Sequence, residues 1–157
     1  MTRPTTARPV LNHIGACKMT KIVYNACYGG FGLSHEAIMR YAEIKGITLY
    51  VSAEASGYSR YYLCPPEEWE QIQTEEELAP VSTARFARSN ALYFSDRNIE
   101  RNDPALAQVV EELGGKANGS YAELRIIELP AGTLYRIDEY DGIESVETKD
   151  TYDWQVA

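Results

Sequence analysis

A cysteine, three glycines, a serine and a histidine fall within nine positions, as Cys27, Gly29, Gly30, Gly32, Ser34 and His35. Such a set supports two kinds of chemistry. Cys27 beside His35 is the pairing of a thiolate with its base, although a cysteine ending an apolar strand is ordinarily a small buried hydrophobe. Glycines at a strand-to-helix turn instead let backbone approach a ligand, and the helix start offers N–H groups without helical partners. The second reading fits better. Backbone N–H groups from Gly29 to Ser34 are expected to receive a small anion, with Tyr28 or Phe31 stacking on a flat, nucleotide-like ligand. The competing reading is that the glycines only let strand and helix pack closely.

Two common cofactor classes fail on spacing. Counted from Gly30, the third glycine of a dinucleotide fingerprint falls on His35, and no Gly-Lys-Ser/Thr follows the turn as a P-loop needs. No cofactor, metal ligand or catalytic residue is therefore assigned. Positive charge gathers in the middle of the chain: Arg60 stands among Tyr58, Tyr61 and Tyr62, while Arg85, Arg88, Arg97 and Arg101 stand among Phe86, Tyr93 and Phe94. Guanidinium groups beside aromatic faces are what phosphate and base recognition uses, so Arg97 and Arg101 are expected to neutralise the bound anion. Pairing with the chain's own carboxylates is the alternative. Glu67 with Glu68, and Glu75 to Glu77, read as solvated faces and serve acid–base work only if they converge in a cleft.

The elements that must position these residues are legible in part. Ile22 to Ala26 reads as a strand, Ser34 as the N-cap of a helix reaching Lys45, and Gly46 as its stop. Ile47 to Ser52 and Tyr58 to Leu63 read as strands. The strand-helix-strand order permits a parallel pair, with an antiparallel arrangement around an inserted strand as the other option. Pro66 to Leu78 reads as helical, and Ala79 to Arg101 as a long loop with an extended piece at Ala91 to Ser95. Asp103 caps a second clear helix with Pro104 at its first position; Leu106, Val109, Val110 and Leu113 recur at helical spacing, and Gly114-Gly115 ends it. Ala122 to Leu129, Leu134 to Tyr140 and Ile143 to Thr148 read as strands, the last two joined by a type I′ turn at Asp141-Gly142.

These elements predict an α+β fold: a single compact domain, with a mixed or antiparallel sheet, two to three helices and a C-terminal β meander. The chain has 157 residues, enough for one domain spanning 20–157, and residues 1–19 are expected to form a flexible extension. A net charge of −8 opposes binding to duplex nucleic acid. Cys17, Cys27 and Cys64 are three cysteines without CxxC spacing, so neither a disulfide framework nor a zinc site is indicated. No apolar run reaches the roughly 18 residues of a membrane span, and a cytoplasmic location is expected.

The run KIVYNACYGGFGLSHEA at Lys21 to Ala37, the stretch from Arg101 to Pro130, and the IDEYDGIE hairpin at Ile137 to Glu144 together resemble a family of small phage and prophage proteins of undefined function. The resemblance implies an accessory gene product acting in a host cell. The expected function is capture of a small anionic, nucleotide-like ligand without catalysis, with a homo-oligomer compatible with that role. The alternatives are an acidic interaction protein that binds and inhibits a host protein, and a small enzyme using Cys27 or a carboxylate pair.

Overall fold

The computed structural model describes residues 18–53, 58–69 and 91–151. The order of the described elements is β1 (Met19–Asn25), α1 (His35–Lys45), β2 (Tyr50–Ala53), β3 (Ser59–Tyr62), α2 (Pro104–Leu113), β4 (Leu124–Pro130), β5 (Tyr135–Tyr140) and β6 (Ile143–Thr148). The fold is α+β. Its described strands form three two-stranded antiparallel ladders: β1 with β4, β2 with β3, and β5 with β6. The expected extension up to residue 17, the far end of the Pro66 helix and the segment carrying Arg85 and Arg88 lie outside the described residues.

Both helices form where their caps dictate. Ser34 Oγ accepts the Ala37 amide at 3.1 Å, and Asp103 Oδ1 accepts the Ala105 amide at 2.8 Å with Pro104 at the first helical position. α1 ends in a Schellman motif. Gly46, at φ 66°, donates to Glu43 O, and Ile47 donates to Ala42 O at 2.8 Å. That second bond ties Ile47 back to the helix, which is why β2 begins at Tyr50 and not at Ile47 as its composition suggested. Residues 91 and 92 are helical, and only Tyr93 of the expected extended piece bridges a strand, opposite Tyr62.

The core lies between the helices and β1. α1 turns Ala37, Ile38, Tyr41 and Ala42 inward, and α2 turns Leu106, Ala107, Val109 and Val110 to meet them. Truncating the fully buried Leu106 to Ala should cost about 2–5 kcal/mol. β1 supplies Ile22, Val23 and Asn25 as its buried positions.

β1 does not pair with β2. One edge of β1 is taken by β4, in register from Met19↔Pro130 to Asn25↔Leu124. On the other edge the Val23 amide donates to Arg101 O at 2.8 Å, and the Asn25 amide donates to Glu144 Oε2 at 2.9 Å. With both edges occupied, neither the parallel pair nor an inserted strand beside β2 can form there. Of the three C-terminal strands only β5 and β6 pair with one another, as an antiparallel hairpin lying close to β1 through β6, while β4 pairs with β1. Among the described strands the expected meander is therefore a hairpin beside a strand that pairs elsewhere.

Candidate functional site

Asn25 is completely buried and ends β1 immediately before the glycine loop. Its side chain is fully engaged: Oδ1 accepts the Glu123 amide at 2.8 Å, while Nδ2 donates to Cys27 O at 2.6 Å and to Gly142 O at 2.7 Å. Three chain segments far apart in sequence are thus tied to one amide group. The consequence is that the glycine loop lies directly against the tip of the β5–β6 hairpin.

That tip is a type I′ turn, with Asp141 at φ 51° and Gly142 at φ 84°. Gly142 is needed for a second reason. A Cβ there would lie 2.6 Å from the Gly29 nitrogen and closer still to the Gly30 nitrogen, so only hydrogen fits. Gly29 is equally confined, because its Cβ would meet Tyr121 at 2.5 Å. Gly30, by contrast, has open space where a side chain would begin.

Between loop and hairpin lies a cleft of about 450 Å³. One wall is Gly29, Gly30 and Phe31; Arg97 and Arg101 come from the short 3₁₀ turn Asp96–Asn98 and the residues after it; Glu139, Asp141 and Glu144 come from the hairpin. Arg101 is the centre of this arrangement. Its guanidinium carbon stands 3.2 Å from the Phe31 ring centroid, and its Nη2 donates to Glu144 Oε1 at 2.6 Å. Glu144 is 6% exposed, so this is a largely desolvated ion pair. Burial pulls the Arg101 pKa down while the carboxylates of Glu144, Asp96 and Glu139 push it up. The group stays charged. Its Nη1 is buried without an acceptor among the described residues.

Glu139 and Glu144 stand directly opposite one another in the hairpin register. Like charges so placed repel. The fold accommodates them because Glu144 is held by Arg101 and the Asn25 amide, and because Glu139 Oε1 accepts the Gly142 amide at 3.2 Å. Arg97 is exposed and carries no ion pair among the described residues. The cleft therefore combines two guanidinium groups with three carboxylates and is not a purely cationic hollow.

Of the residues singled out in the sequence, Gly29, Gly30, Phe31, Arg97 and Arg101 meet at this cleft. Tyr28 is 65% exposed and is not among the cleft's lining residues. Ser34 lines a different hollow with His35, and Gly32 accepts the Gly119 amide through its carbonyl at 2.9 Å. The entry to α1 is not open to an anion in the way its position suggested. Leu33 donates to Asp96 Oδ2 at 2.8 Å, Ser34 to Ala117 O at 2.9 Å and Ala37 to Ser34 Oγ. The chain's own Asp96 carboxylate stands where a ligand anion was expected, and the Arg101 guanidinium covers a face of Phe31 that a ligand ring was expected to use.

Asn25 and Glu144 carried no functional reading in the sequence, and Glu139 and Asp141 stood there only as acids crowding a hairpin. A signal existed for the two glutamates: a two-residue Asp141-Gly142 turn forces positions 139 and 144 to face each other. For Asn25 no local signal exists. Among the described residues no group of three or more His, Cys, Asp or Glu side chains could hold a metal ion, and no helix is long and apolar enough to cross a membrane. No family model, curated protein or solved structure matches this chain.

Proposed function

We propose that this chain binds, without turning it over, a small polar molecule with an anionic or acceptor group at one end and hydrogen-bond donors at the other. A nucleotide-like molecule has that form: phosphate oxygens suit the exposed Arg97 guanidinium, and the amino and imino edges of a base suit the carboxylates of Glu139 and Asp141. The observation that carries the reading is the cleft itself, which brings the exposed Arg97, without an ion pair among the described residues, to face the hairpin carboxylates. The cleft volume lies within the roughly 300–1,000 Å³ of small-molecule sites. The resemblance to phage and prophage proteins makes a host cell's nucleotide pool the natural source of such a ligand.

The test is thermal denaturation against a panel of mononucleotides and cyclic nucleotides. At least one should raise the melting temperature, Arg97→Ala should remove the shift, and the unliganded variant should melt as the wild type does. No shift across the panel, or a shift indifferent to Arg97→Ala, defeats the proposal.

A second reading is an acidic interaction protein that inhibits a host protein. Tyr28 and Tyr121, 65% and 73% exposed, both adjoin Gly29, and Tyr140 on the hairpin is 81% exposed. Tyrosine is enriched where proteins meet. Capture of one stoichiometric host partner, lost in Tyr28→Ser with Tyr121→Ser, would favour this reading over small-molecule capture.

A further inference from the structure

A second hollow of about 580 Å³ opens where Leu33 and Ser34 leave the glycine loop. Its walls differ in kind from those of the first. His35, Tyr58, Arg60, Tyr61 and Tyr93 line it, and Asp96 is the carboxylate among its described lining residues. Among the described lining residues Arg60 and Asp96 bring one formal charge of each sign, and Asp96 Oδ2 already accepts the Leu33 amide. This hollow does not select for an ion. What it presents is aromatic surface with a few polar groups at its edges, the usual make-up of a site for a flat organic ligand.

The rings of His35, Tyr61 and Tyr93 are also held in advance. His35 Nδ1 lies 2.8 Å from the Tyr61 hydroxyl, and the two rings stack with centroids 5.7 Å apart and planes 25° from parallel. The Arg60 guanidinium sits 6.0 Å from the Tyr93 ring centroid. Tyr93 is bridged to Tyr62, and the buried Tyr62 is stacked on Trp69 at 4.6 Å. Tyr58, a lining residue that is itself 72% exposed, is the aromatic wall not held in this way. Walls held this firmly lose little side-chain entropy on binding, and each stacked ring adds affinity without asking for charge.

We infer that this second hollow is a separate binding site for a flat, uncharged heteroaromatic ring with hydrogen-bond acceptors on its edge, which is nucleobase chemistry without the phosphate. The ring stacks on tyrosine, and its acceptors meet Arg60 and the His35–Tyr61 pair. The site does not depend on the reading of the first cleft, because none of Arg97, Arg101 and the hairpin acids lines it.

The chain has two histidines, so in a His13→Ala background the imidazole signals in a proton NMR spectrum belong to His35 alone. Adenosine should move those signals saturably, whereas ribose and inorganic phosphate should leave them in place. Tyr58→Ala and Arg60→Ala should each weaken the adenosine response roughly tenfold, and Arg97→Ala should not change it. No saturable movement in the His13→Ala protein overturns the inference. So does a response reproduced by ribose or phosphate, or one abolished by Arg97→Ala.

Discussion

The main-chain amide of Asn25 and the carboxylate of Glu144 meet at 2.9 Å across a separation of 119 residues, and the second oxygen of Glu144 holds Arg101 at 2.6 Å. This one carboxylate fixes the spacing between the end of β1, the hairpin and the guanidinium that lines the cleft. Its removal from solvent makes the arrangement stiff, and it also makes each partner sensitive to loss of the others.

Asn25→Ala removes one acceptor and two donor bonds at a fully buried position, leaving the Glu123 amide and two carbonyls unsatisfied. The expected loss is about 2–4 kcal/mol in urea unfolding. Asn25→Asp should be no milder, since it sets a carboxylate against the carbonyls of Cys27 and Gly142. A loss within about 0.5 kcal/mol would show that the loop and hairpin do not depend on this residue.

Arg101→Ala strands the buried Glu144 carboxylate and should cost about 3–5 kcal/mol. Adding Glu144→Gln should restore part of that loss, because the stranded charge is then gone while the Asn25 amide keeps an acceptor. Additive losses from the two changes, measured by denaturation, would deny that they act as a pair.

Two glycines with nearly the same φ should respond differently to alanine. Gly132 has φ 87° and open space around its Cβ direction, so Gly132→Ala should cost about 1–2 kcal/mol for the left-handed backbone alone. Gly142 has φ 84° and would drive its Cβ into the Gly29 and Gly30 nitrogens, so Gly142→Ala should cost distinctly more and should displace the hairpin. Equal melting temperatures for the two variants would contradict the close approach.

Acid should weaken the junction of α1 and α2. Burial alone would raise the Asp103 pKa, yet hydrogen bonds from Lys45 Nζ at 2.9 Å, the Tyr41 hydroxyl at 2.8 Å and the Ala105 amide hold it below the usual carboxylate value. A folded-state pKa below that of the unfolded chain means the contribution is complete above roughly pH 4 and disappears as pH falls through the lower, folded value. Glu112, pulled to about 2 chiefly by Arg40, titrates in the same direction. In urea unfolding, Asp103→Asn should therefore be destabilised relative to wild type at pH 6, with the gap closing toward pH 3. A gap that widens on acidification would reverse the assignment.

The local parts of this protein were written in the sequence. Ser34 and Asp103-Pro104 start the helices, Gly46 ends the first, and Asp141-Gly142 turns a hairpin whose second strand, Ile143–Thr148, was read to the residue. Each rests on groups within a few positions of one another, where propensity and hydrogen-bond geometry leave few choices. Cleft residues on the loop and around Arg97 and Arg101 could be picked out by type. Their carboxylate neighbours could not, because the partners are brought together by packing across long separations, 43 residues between Arg101 and Glu144 and 119 between Asn25 and Glu144. Tertiary structure alone decided that β1 pairs with β4, that Asn25 clasps the hairpin, and that the anion at the start of α1 is the chain's own Asp96. A buried asparagine or glutamate reads as polar surface until the fold supplies the distant groups that satisfy it, and composition carries no record of which groups those are.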